Sequence, residues 1–325
     1  MGQELQRRSP RTVARQPDPP WSTVASTTMR LWLDRHYRRR AGRRRLVLLL
    51  SALVAMALGA GVTLAFTQPG HGSVTRLKAT PGADSLQLAA AARQQASAWI
   101  TREVASDITV GCDLMMCGEL QKSGFPGTRL LPLRPSAPDP LGAQLVIATP
   151  VIRNQFGTRL ATVYAPLVIA SFGSGADRVD VRYIAPDGSK AFEAQLGTYR
   201  QNRIAAGRQL LGNNHIQVSA AARQELISGQ VDPRLLVTLS TLADLMPLQL
   251  IAFDDPSPGA SADVPLRGAE IGAAASAGLP AMVAFMHAQQ GGYAPAVARI
   301  TRNASGRPVF IVRYDAPGPM ELDGS

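Results

Sequence analysis

The chain has 325 residues and little of what metal-centred or covalent chemistry usually requires. It has two cysteines, Cys112 and Cys117, and four histidines, His36, His71, His215 and His287. The histidines are too dispersed to share an ion, and Cys-x4-Cys is not the Cys-x2-Cys spacing of redox and zinc sites. No Gly-x-Ser-x-Gly elbow occurs, which removes the best-known way of exposing a serine nucleophile. A Walker lysine is missing too. The Gly173-Ser174-Gly175 turn leads from an apolar strand into a second strand and not into a helix whose N–H groups could hold phosphate. It reads as a chain reversal. No metal and no cofactor are expected.

A basic folded face is also lacking, despite a net charge of +11. Residues 1–45 hold 12 arginines against Glu4, Asp18 and Asp34, and the rest of the chain carries 22 bases against 20 acids. Gripping a phosphate backbone needs Lys and Arg spread over a folded surface, so no nucleic-acid partner is expected.

What the chain does contain is one long apolar run. Leu46 to Phe66, "LVLLLSALVAMALGAGVTLAF", is 21 residues without a charge, about what a helix needs to cross a ~30 Å hydrocarbon core. "RRRAGRRR" precedes it directly, and clustered arginine marks the cytoplasmic flank. A cleaved signal peptide would have a shorter charged region and a shorter apolar core. The expectation is a retained anchor in the plasma membrane, with a basic cytoplasmic tail (1–45), a transmembrane helix (46–66) and an extracytoplasmic remainder. Trp21, Met29, Trp32 and Leu33 lie among bases in residues 21–40. That stretch suits either the anionic inner leaflet or a solvated tail.

The outer part begins with a Pro/Gly-bearing linker (67–83). Two lobes of α/β class follow, 84–214 and 215–325, since helical patterns interleave with short apolar runs. No segment recurs at a fixed period. "AQLVIATPVI" and "APLVIASF" read as strands covered on both faces. "DRVDVRYIA" alternates and reads as an edge or half-exposed strand, with Asp180 and Arg182 outward. In the second lobe Asp232 and Pro233 open a helix with Leu235, Leu239 and Leu242 on one stripe. "LQLIAF" reads as a strand, "DVPLRGAEIGAAASAG" and "LPAMVAFMHAQQGG" as helices, and "AVARITRNASGRPVFIVRY" as a hairpin. Outside an oxidising boundary Cys112 and Cys117 are either bridged or two buried thiols.

Candidate ligand residues gather after the strand "LQLIAF": Asp254, Asp255 and Asp263, with Glu270 nearby, and Asp139 in the Pro-rich loop 138–142. Loops after strands are common ligand positions in α/β folds, and paired carboxylates are the minimum for glycoside hydrolysis. His215 and His287 read as surface or satisfied core residues.

Two resemblances add to this. Trp99, the strand into Asp113, Leu120, Gly124, "VIATPVIR" and "VIASFGSGADRVDVRYI" (99–184) resemble the soluble outer segment of actinobacterial polytopic membrane glycosyltransferases. That family's catalytic acids lie in a loop between its first membrane helices, which this chain lacks. The resemblance therefore implies an accessory or binding domain of an actinobacterial cell envelope. Residues 232–271, "LVTLSTLADLMPLQLIAFDD" with Gly259 and "PLRGAEI", are similar to the OmpA-like peptidoglycan-binding fold. In that family an Asp and an Arg hold diaminopimelate, which implies Asp255 and Arg267 here, although the motif's Asn and Ser are missing. The expectation is a single-pass envelope protein whose extracytoplasmic domain binds a protein partner or a cell-wall glycan without catalysis. The alternative is an envelope carbohydrate-active enzyme working through the 254–263 loop.

Overall fold

The computed structural model describes residues 81–261, 263–273 and 278–318. The tail, the apolar run 46–66 and nearly all of the linker lie outside the described residues. Among those described, no helix is long and apolar enough to cross a membrane. The described residues fall within one compact unit. It is mixed α/β with two five-stranded sheets.

Helix α1 (Pro81–Glu103) buries Ala92, Ala96, Trp99 and Ile100, a stripe at helical spacing. Strand β1 (Val110–Cys112) runs into Asp113, whose carboxylate accepts from the N–H groups of Met115 (2.9 Å) and Met116 (3.0 Å) and so caps α2 (Leu114–Lys122). A 3-10 turn leads to β2 (Leu130–Pro132), parallel to β1. Cys112 and Cys117 are bridged, fastening the end of β1 to α2.

Strand β3 (Leu145–Ala148) is fully buried, as expected, but it stops at Ala148. Thr149 caps the next helix and Pro150 occupies its first turn, so residues 150–152 of the anticipated strand belong instead to α3 (Pro150–Phe156). Proline's fixed φ and missing N–H suit a first helical turn and would interrupt an interior strand. A π-helical turn (Leu160–Tyr164) leads into β4 (Leu167–Phe172). The reversal at Gly173 (φ 70°) then gives β5 (Val179–Tyr183), antiparallel to β4. A Cβ at Gly173 would crowd Ala92 of α1 as well as strain the backbone.

The first sheet has the order β2-β1-β3-β5-β4. One face packs Leu145, Ile147, Val179 and Val181 against α1 and α2. The other packs Val146 and Ala148 under α3 and the π-helical turn. This second layer corrects the reading of β5. The strand is interior, between β3 and β4, and Asp180 and Arg182 are buried.

Helix α4 (Ser189–Leu211) links the two sheets and packs against α5 (Ala220–Ser228) and α6 (Pro233–Leu245). A Cβ at Gly207 would collide with the Leu226 carbonyl, so this crossing requires glycine. Strand β6 (Ile216–Val218) pairs parallel with β7 (Leu248–Asp254). The segment read as the helix "DVPLRGAEIGAAASAG" contains instead strand β8 (Gly268–Ala273), antiparallel to β7. The helix preference of Ala269, Glu270 and Ala273 is weakened by Gly268 and Gly272, and two flanking strands offer a ladder position. Helix α7 (Gly278–His287) and the hairpin β9 (Val297–Arg302) and β10 (Pro308–Arg313) complete the order β6-β7-β8-β10-β9.

The sheets share a unit although no segment of the sequence recurs at a fixed period. β3-α3-β4-β5 and β8-α7-β9-β10 each run strand, helix, hairpin, with the last strand inserted antiparallel between the other two. The final strands run out through strings that match at five of six residues: Val181-Arg182-Tyr183-Ile184-Ala185-Pro186 and Val312-Arg313-Tyr314-Asp315-Ala316-Pro317.

Candidate functional site

The acidic loop Asp254–Arg267 and the residues around it form the seam between the two sheets. Ser171 N–H of β4 donates to the Pro258 carbonyl (2.7 Å), so the loop lies along the outer edge of the first sheet. From the far end of the chain, Ala316 pairs with Val104, exchanging backbone hydrogen bonds with Glu103 and Ala105. Its side chain belongs to the first sheet's core, and Tyr314 two residues earlier to the second's.

Arg267 sits at the centre of this seam, 2% exposed. Its Nε and Nη2 donate to the two oxygens of Asp255 (3.0 and 3.2 Å). Nη1 donates to the Tyr314 carbonyl (2.7 Å), Nη2 also reaches Ser257 Oγ (3.3 Å), and Glu103 stands 3.6 Å away. The two residues assigned to diaminopimelate by the OmpA-like resemblance are therefore spent on each other, with no solvent access to the guanidinium. A buried bidentate pair of this kind fixes geometry; removing one partner would strand the other's charge.

The remaining candidates are separate. Asp254 is half exposed and pairs with Arg313 of β10 (3.1 Å). Asp263 is exposed and lines a depression of about 240 Å³ together with Glu193, Arg200, Arg203 and Gly229. Burial pulls the Arg203 guanidinium below its ordinary range, Asp232 and Asp263 push it back, and Arg200 adds to the lowering. Asp139 accepts from the Leu141 N–H in its own loop (3.0 Å). That loop lies by β2, where a Cβ at Gly142 would touch Leu131, whereas Pro258 and Gly259 lie on Ser171 of β4 at the opposite edge. They share no cleft. His215 Nδ1 is bonded to the Ala243 carbonyl (2.9 Å), and His287 Nε2 lies 3.3 Å from the Ala298 carbonyl. Among the described residues no three His, Cys, Asp or Glu side chains come together as a metal site would need.

Two polar groupings escaped the sequence reading. Asp113 Oδ2 accepts from Thr149 Oγ1 (2.5 Å), joining the caps of α2 and α3 where the parallel strands β1 and β3 end. Asp180 accepts from Ser171 (2.6 Å), is paired with Arg178 (3.0 Å), and lies 3.5 Å from Arg182. Arg182 donates in turn to the carbonyls of Ala165 (2.6 Å) and Pro166 (3.0 Å). Burial lowers the Arg182 pKa and Asp180 opposes that. The cap signal at Thr149-Pro150 was available; the burial of Asp180 had no local signal. Both groupings are internally satisfied and hold elements in place.

No protein-family model, curated protein or solved structure matches the chain.

Proposed function

We propose that this is a single-pass cell-envelope protein, held in the plasma membrane by residues 46–66, whose extracytoplasmic α/β unit binds a protein partner or a cell-wall glycan without catalysing a reaction. The observation that carries the non-catalytic half is the occupation of Arg267 and Asp255 by each other and by the Tyr314 carbonyl. Acid–base catalysis needs a carboxyl group that reaches substrate in the right protonation state. In this loop the buried acid is locked to arginine, and the exposed ones, Asp254 and Asp263, stand on separate surfaces. The disulfide supports placement in an oxidising compartment. The anchor rests on the uncharged run and the arginines before it.

Two measurements test this. Protease added to intact cells should digest the carboxy-terminal unit, and full protection would reverse the topology. The full chain in detergent should co-sediment with purified sacculi or crosslink in cells to one defined envelope protein; failure of both would remove the binding role. Asp255→Asn should lower the melting temperature through the stranded Arg267, with bound ligand falling only in proportion to unfolding. A loss of sugar turnover in a fully folded Asp255→Asn protein would instead establish the enzyme.

A further inference from the structure

We infer that the end of the first sheet where the chain enters the fold lies against the outer leaflet, held there by an apolar rim. This rests on the anchor reading above and names the surface that the anchor presents to lipid. Five large apolar side chains stand in solvent at this end: Leu86 (73% exposed), Leu88 (65%), Leu114 (66%), Met115 (65%) and Val151 (56%). The other exposed apolar residues, among them Leu141, Leu245 and Ile300, are scattered, as is ordinary for a soluble surface.

Topology puts the five together. Leu114 and Met115 open α2 after β1, and Val151 opens α3 after the parallel neighbour β3. The Asp113–Thr149 hydrogen bond joins the two caps directly. Residues 173–178 belong to the same end, because Ala148 pairs with Asp180, and Phe172 with Val179. Ala92 of α1 packs on Gly173, so Leu88 and Leu86 extend past that turn by roughly 6 and 9 Å along the helix.

Chain connectivity identifies the occupant. The 14 residues between Phe66 and Pro81 are Pro/Gly-bearing, and a coil of that length has an end-to-end distance of roughly 20 Å. The entry of α1 is thus held close to the bilayer by the anchor, with the apolar rim beside it. Tethering supplies a high local concentration, so a small rim suffices where a free protein would need a large one. The depth reached is that of interfacial side chains, about 5–10 Å into the headgroup and acyl boundary.

The test uses the full chain with Trp21→Phe and Trp32→Phe, reconstituted in phosphatidylcholine–phosphatidylglycerol vesicles with normal or brominated acyl chains. Leu114→Trp and Val151→Trp are the rim probes, and Ile300→Trp on β9 is the control; Trp99 is buried and gives a constant background. Thermal melts check that each variant is folded. Rim fluorescence should fall by about half in brominated vesicles, as an interfacial ring would, while the Ile300→Trp signal stays unchanged. Quenching at both rim positions no greater than at position 300, in chains that still float with vesicles after alkaline carbonate, overturns the rim and leaves the anchor intact. A chain that does not float overturns the anchor and the rim with it.

Discussion

Strings matching at five of six residues end the repeated unit in both sheets, and the shared arginine meets opposite fates. Arg182 lies under a second layer, donating to two backbone carbonyls beside buried Asp180. Arg313 is a quarter exposed and pairs with half-exposed Asp254. The cause is the side of the sheet that the crossover helix covers. Helix α3 packs on the face opposite Val181 and Tyr183 and so encloses Asp180 and Arg182. Helix α7 packs on the face of Phe310 and Val312, leaving the side of Glu270 and Arg313 without a helical layer. The tyrosines diverge as well. Tyr183 stacks on Phe192 with centroids 5.4 Å apart. Tyr314 is wholly buried, hydrogen-bonded to Thr238 (2.6 Å) with the Arg234 guanidinium over its ring, and burial pushes its phenol far upward. A local sequence thus supplies a strand, while its neighbours decide whether a charge in that strand lies in the interior or at the surface.

The sharpest way to break this comparison is to truncate both arginines. Arg182→Ala should cost about 3 kcal/mol, because the carbonyls of Ala165 and Pro166 lose their donor in the interior, at about 1–3 kcal/mol for each stranded group, while Asp180 keeps Arg178 and Ser171. Arg313→Ala should cost about 0–1 kcal/mol, the worth of a partly exposed pair. Equal losses in urea melts would mean that the layer over β5 does not exclude water. Next in size is the disulfide, present in the first sheet alone among the described residues. Its short loop predicts a loss of about 2 kcal/mol when both cysteines become serine. Amide exchange should accelerate at β1 and β3 before β7, β8 and β10; uniform acceleration would show that the seam makes the two sheets one cooperative unit. The smallest effect belongs to Glu225 of α5, whose carboxyl is raised by burial and pulled back down by the Phe253 N–H. A raised carboxyl contributes stability below its unfolded pKa and loses it as pH rises through the folded value. Glu225→Gln should therefore give a small gain in melting temperature at pH 7, absent at pH 4, and a gain of the same size at both would remove the titration as its cause.

Elements with strong local punctuation were legible. Asp232-Pro233 opens α6 and Gly212 closes α4, because capping involves groups within one turn. The Gly173 reversal was legible for the same reason. The misread segments, residues 150–152 and Gly268–Ala273, are those in which a short apolar or small-residue run fits helix and strand equally well. The acids of the candidate loop are adjacent in sequence but go to different partners, Asp255 to Arg267 and Asp254 to Arg313, and the role of the buried pair was not legible. That role depends on the Tyr314 carbonyl and Glu103, far from it along the chain.

Chain order alone decided what depends on neighbours within a few residues: an uncharged run flanked by arginine, the helix caps, the turns, and a cysteine pair close enough to bridge. Tertiary structure decided which polar groups lie inside, that Arg267 locks a seam, and that apolar residues distant in sequence share one rim. The division is physical. Capping and turn energies act over one turn of chain, whereas the cost of burying a charge depends on which distant layer excludes the water around it.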